Sequence, residues 1–127
     1  MNDTVRVRVE LEIELDSIEA LERLFVAGRA GVGATVEVGP GIIAELRDAE
    51  EGAGFADAVL VSIAVSFAVG TLSSLVANAI YDALGSAIRR LSVDKRRVRP
   101  TREELERALE TVRLLRKHKA NVGDEEK

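Results

Sequence analysis

AVLVSIAVSFAVGTLSSLVANAIY, residues 58–81, runs for twenty-four residues without a charge or a proline in a chain otherwise crowded with both signs. How it folds decides the rest. Its length satisfies the rule for a bilayer span, and its mean hydropathy is clearly positive, roughly +2 per residue. Ala58, Ser62, Ser66, Gly70, Ser74 and Asn78 recur every fourth residue. On a helix they form one slowly drifting stripe of small side chains, against which a neighbouring helix can approach closely. Leu60, Val61, Ile63, Val65, Phe67, Val69, Leu72, Leu75, Val76 and Ile80 fill the other faces, giving a helix apolar nearly all round, as in a core or a membrane.

Outward from this run, the N-terminal side opens on a strict alternation. Val5, Val7, Val9, Leu11, Ile13 and Leu15 take one face, and Arg6, Arg8, Glu10, Glu12 and Glu14 the other, which predicts a strand over 4–16 in a sheet covered on one side. Asp16 or Ser17 caps a helix carrying Ile18, Leu21, Leu24 and Phe25 on one face and ending near Gly28. The glycines of Gly28-Arg29-Ala30-Gly31-Val32-Gly33 follow a helix and precede a strand. A phosphate-cradling loop needs the reverse order, so they read as a helix C-cap and turn. Residues 34–38 form the next strand and Gly39-Pro40-Gly41 ends it. A short helix over 42–51 follows, with Ile42, Ile43 and Leu46 inward, and Gly52-Ala53-Gly54 breaks it.

Beyond the apolar run, Ala87, Ile88 and Leu91 extend the helical spacing to about Arg90, giving a long helix over 55–90 with a weak point at Gly70-Thr71. Val93 and Val98 admit a short edge strand whose basic residues discourage aggregation. Thr101-Arg102-Glu103-Glu104 after Pro100 is a capping box, opening a last helix with Leu105, Ala108, Leu109, Val112 and Leu115 as its apolar stripe. The fold class is α+β. A small sheet with a β-α-β start packs on helices, with one long apolar central helix and a C-terminal amphipathic helix. Residues 1–119 form a single domain and 120–127 a flexible charged tail.

Charge is unevenly distributed. Residues 1–57 hold five basic against thirteen acidic side chains, a balance of −8, while 58–127 hold thirteen against nine, a balance of +4. Arg89, Arg90, Lys95, Arg96, Arg97 and Arg99 form a basic cluster suited to anionic lipid or to a protein partner. Nucleic acid is disfavoured, because no stacking aromatic lies in this stretch and the chain is acidic as a whole. Cysteine is absent, which removes disulfides and thiolate chemistry and fits a reducing compartment. The first residues lack a basic-then-apolar signal pattern. His118, the one histidine, sits among Arg116, Lys117 and Lys119 at the end of the last helix, where a cation complements the helix dipole. No catalytic constellation, cofactor site, metal site or small-molecule substrate is inferred.

VRVRVELEIEL, the helix IEALERL, ATVEVGPG and the apolar run followed by Ile88-Arg89-Arg90-Leu91 together resemble the effector-associated constant components encoded beside bacterial conflict-system effectors. The resemblance covers about the first hundred residues, and the tryptophan expected near the end of the long helix is missing. It implies a non-enzymatic adaptor. Two readings follow. In the first, a cytoplasmic interaction module self-associates or binds an effector protein through its apolar helix, because one small chain cannot cover both that helix and a sheet. In the second, residues 58–80 insert in the inner or plasma membrane with the C-terminus cytoplasmic, and the small-residue stripe drives oligomerisation. The first is preferred, since a true span would leave two marginal fragments on opposite sides of the bilayer.

Overall fold

The computed structural model describes residues 6–16, 18–24, 33–51 and 59–125. The apolar run is not one helix. Its first half is the strand β4 (Val59–Ala68), residues 69–72 turn, and its second half is the helix α2 (Ser73–Leu84). A 3-10 turn at Gly85–Ala87 then feeds the strand β5 (Ile88–Val93), where the sequence predicts continuing helix. The remaining elements are β1 (Arg6–Leu15), α1 (Ile18–Leu24), β2 (Thr35–Gly39), β3 (Ile42–Glu51), β6 (Arg96–Val98) and α3 (Arg102–Glu125). Among the described residues the strands form one six-stranded sheet in the order β2-β3-β4-β1-β5-β6, each antiparallel to its neighbours.

The expected long helix over 55–90 is thereby overturned, and the reason lies in the side chains of β4. Val59, Val61, Ile63, Val65 and Phe67 alternate with Leu60, Ser62, Ala64, Ser66 and Ala68, large against mostly small. Four of the five large residues are β-branched, which stiffens χ1 and suits a pleated surface better than a helix turn. All five are buried in the core cluster. Because four is a multiple of two, Ser62 and Ser66 share a sheet face as readily as a helix face. The small-residue stripe could not separate the two structures, whereas the period-two alternation of large residues does. Among the described residues no helix is long and apolar enough to cross a membrane, so the reading of 58–80 as a membrane-inserted helix also falls.

β3 corrects the short helix expected over 42–51. Ile42, Ala44 and Leu46 are buried at period two, and a register shift against β4 between Leu46 and Asp48 then breaks the pattern. The glycines and proline before it make the β2–β3 turn. Gly41 lies at φ 75, and its N–H donates to the Glu37 carboxylate at 2.9 Å. β1, α1 and β2 form where the sequence places them, while the expected end of α1 near Gly28 and the following residues up to 32 lie outside the described residues.

One face of the sheet carries Val7, Val9, Leu11 and Ile13 of β1, the large residues of β4, and Ile88, Leu91 and Val93 of β5. The helices cover it with Leu21 of α1, Val76, Ala77, Ile80 and Leu84 of α2, and Leu105, Leu109 and Val112 of α3. α2 and α3 pack against one another and are tied by two side-chain hydrogen bonds, each from the first residue of one helix to the interior of the other. Ser73 Oγ donates to Glu110 at 2.9 Å, and Arg102 donates to Asn78 at 2.7 Å. α2 also lies close over β2, where a Cβ at Gly39 would come within 3.1 Å of the Ala79 Cβ. Among the described residues no helix covers the opposite sheet face. α3 runs on to Glu125, through the first residues of the segment expected as a tail.

This placement predicts unequal costs along the apolar run. Replacing Ile63 by Ala should destabilise by about 2–5 kcal/mol in urea unfolding, from lost burial and the cavity left behind. Ser66→Val, on the uncovered face, should change stability by less than about 0.5 kcal/mol. A large loss at Ser66 would restore the small-residue stripe as a packing surface.

Candidate interaction groove

The sequence-predicted residues do not gather on one surface. Of the small-residue stripe, Ala58 lies outside the described residues. Ser62 and Ser66 sit half-exposed on the uncovered sheet face. Gly70 is in the turn after β4 with open space where a Cβ would be, and Ser74 and Asn78 are on the exposed side of α2. No continuous helix-packing interface results. The backbone of α3 includes His118, whose side chain is outside the described residues.

The basic cluster divides in two. A register irregularity between β1 and β5 at Glu12/Ile13 lets consecutive residues Arg89 and Arg90 both leave the core side. Arg89 Nε meets Glu14 at 3.0 Å and Arg90 Nε meets Glu12 at 3.6 Å. With Arg8 near Glu10 at 3.9 Å and Arg47 near Glu45 at 3.4 Å, they make the uncovered face a set of solvent-exposed ion pairs. A shallow depression of about 330 Å³ there is lined by Glu10, Glu12, Arg47, Ser62, Arg90 and Ser92. Such pairs contribute at most about 1 kcal/mol each and leave little charge unspent.

Arg96, Arg97 and Arg99 behave differently. They follow a two-residue hairpin turn at Asp94 and Lys95, whose φ angles of 53 and 71 are those of a type I′ turn made without glycine. Asp94 is fixed from two sides. Its N–H donates to the Arg8 carbonyl at 3.3 Å and its carboxylate meets Arg116 of α3 at 3.2 Å. α3 itself begins as its capping residue dictates, with the Glu104 N–H donating to Thr101 Oγ1 at 3.2 Å. These constraints hold β6 and α3 side by side with a groove of about 500 Å³ between them.

The floor of the groove is Val98, Ala108, Val112 and Leu115, and Arg96, Arg97, Arg99 and Arg107 border it with Asp94 and Glu104, Arg97 from the strand position whose side chain turns to the uncovered sheet face. Arg107 is spoken for by Glu104 at 3.5 Å. Among the described residues Arg96, Arg97 and Arg99 have no ion-pair partner. Leu115 is 55% exposed, although it continues the apolar stripe of Leu105, Leu109 and Val112. The stripe therefore overhangs the sheet edge. Sequence reasoning found the arginines and the stripe separately. It missed that Arg107, Ala108, Thr111, Val112 and Leu115 form the opposite wall, which the i, i+3, i+4 spacing on α3 could have indicated.

Two other features carry less chemistry. Among the described residues no group of three or more metal-ligating side chains converges. Tyr81, half-buried on α2, has a buried hydroxyl without a hydrogen-bond partner among them. Burial raises its pKa above the ordinary phenol value, and the Glu103 carboxylate adds to the rise. No family model, no curated protein and no solved structure matches the chain.

Lys95 in the left-handed region should cost about 1–2 kcal/mol relative to glycine. Lys95→Gly is expected to raise the urea midpoint; a lowered midpoint would contradict the turn geometry. For Tyr81, the raised folded-state pKa stabilises the protein below the phenol's unfolded value, and this contribution is lost as pH rises through it towards the folded value. Tyr81→Phe should abolish that alkaline fall in stability while leaving stability at neutral pH unchanged or slightly higher.

Proposed function

We propose that this chain is a non-enzymatic adaptor that receives an extended, acidic protein segment in the groove between β6 and α3. One observation carries the reading: among the described residues, Arg96 and Arg97 of the edge strand β6 and Arg99 just after it have no ion-pair partner and stand beside an apolar floor that the fold leaves partly wet. Edge strands accept an added strand through main-chain hydrogen bonds, and neighbouring pockets select its side chains. Arginine on such an edge repels basic strands and favours acidic ones. The contact surface thus differs from the apolar helix that the sequence suggested, while the adaptor role is the one that the resemblance to effector-associated constant components also implies. A cytoplasmic location accords with the absence of cysteine.

The reading is tested by site-specific photo-crosslinking in cells. A crosslinking residue at Arg99 should yield discrete protein adducts, and one at Glu14 on the ion-paired face should yield few. Equal yields at both positions, or adducts only to lipid or nucleic acid at Arg99, would overturn it.

A further inference from the structure

Resting on that reading, we infer that the segment fitting the groove is β2 of a second copy of this chain, so that copies join edge to edge into one continuing sheet. The two outer strands of the sheet are complementary in direction, facing and charge.

Direction follows from topology. Six strands, each antiparallel to the next, leave β2 and β6 running in opposite senses. A copy displaced along the sheet therefore presents its β2 antiparallel to β6, with its helices on the same side.

Facing follows from the register. Arg97 pairs Ser92, Ser92 pairs Glu10, Glu10 pairs Ala64, Ala64 pairs Glu45 and Glu45 pairs Thr35, one row across the uncovered face. Glu37, two residues beyond Thr35, shares that face with Arg97. The main chain agrees. The type I′ turn closes on a hydrogen-bonded Val93–Arg96 pair, so the alternation of an antiparallel ladder turns the Arg97 N–H and C=O outward. On β2, the Leu46 N–H donates to the Ala34 carbonyl at 2.8 Å, and the same alternation turns the Glu37 N–H and C=O outward. Among the described residues nothing pairs with either outer edge.

Placing Glu37 of the added copy directly opposite Arg97 sets Val36 against Val98 and Val38 against Arg96 on the helix side. Val36, Val38 and Val98 are all half-buried at the margin of the core, and this pairing covers them. One Glu37 oxygen already accepts the Gly41 N–H, which leaves the other for Arg97. Pairing β6 with β6 would oppose arginine to arginine, and β2 with β2 glutamate to glutamate, so symmetric dimers are disfavoured. The contact joins two different surfaces and leaves one of each free at the ends, so assembly is open-ended.

Sedimentation of the full chain at low salt tests this. The wild type should show an average mass that rises with concentration past the dimer, and added salt should reverse it. Arg97→Glu and Glu37→Arg should each weaken association about tenfold, and an equimolar mixture of the two variants should restore it. Circular dichroism checks folding. Glu37→Arg also removes the turn bond, whereas Arg97→Glu leaves that turn intact and keeps the test decisive. Wild-type association by Arg97→Glu, or no recovery in the mixture, would overturn the proposal. A wild type monomeric at every concentration, with crosslinking at Arg99 to a different protein, overturns the second-copy assignment alone. Loss of both overturns the groove reading as well.

Discussion

β4 is paired along its length to β1 on one side, and on the other to β3 from Ser66 back to Val59. Every other element is placed by that double pairing. It fixes which residues of β1 and β3 face the helices, since a slip of one residue would turn Val61, Ile63 and Val65 out to water. Fully burying each such side chain is worth about 1.5–3 kcal/mol, so the register is enforced by several large terms together. The turn after β4 then brings α2 back over the same sheet. The apolar run covers itself, and the difficulty of finding enough chain to wrap a twenty-four-residue helix disappears.

What was legible in the sequence divides according to how cleanly a period survives. β1 could be read because its apolar and charged residues alternate, and α3 because Thr101 caps it and Leu105, Leu109 and Val112 keep a helical period. β4 was hidden by polarity: its uncovered side carries Leu60, Ser62, Ala64, Ser66 and Ala68, apolar or small enough to pass as part of a helix. β3 and β5 were hidden by irregularities in register. In β5, Ile88 and Leu91 are both buried three residues apart because Arg89 and Arg90 together leave the core side. That i, i+3 spacing is what a helix would give. In β3 the shift between Leu46 and Asp48 ends the alternation before it has run long enough to stand out.

The candidate groove was legible only in parts. The unequal charge of the two halves of the chain is visible in the sequence, but the sheet order converts it into geometry. β2 and β3, from the acidic half, lie at one side, and β5 and β6, from the basic half, at the other. The arginines that pair with Glu12 and Glu14 were indistinguishable in the sequence from those left unpaired at the edge. Only the strand order separates Arg89 and Arg90, each beside a glutamate of β1, from Arg96, Arg97 and Arg99, which border the groove. The interaction surface thus depends on the same central strand as the core does, because β4 determines what is left at the edges.

The most direct test of this account is the environment of Val65. Its Cα partners are Val9 on β1 and Ala44 on β3. Nuclear Overhauser contacts between backbone protons of Val65 and those of both strands are predicted, together with extended-chain chemical shifts through residues 59–68. Helical i, i+3 contacts through that segment, with no contact from Val65 to either Val9 or Ala44, would contradict it.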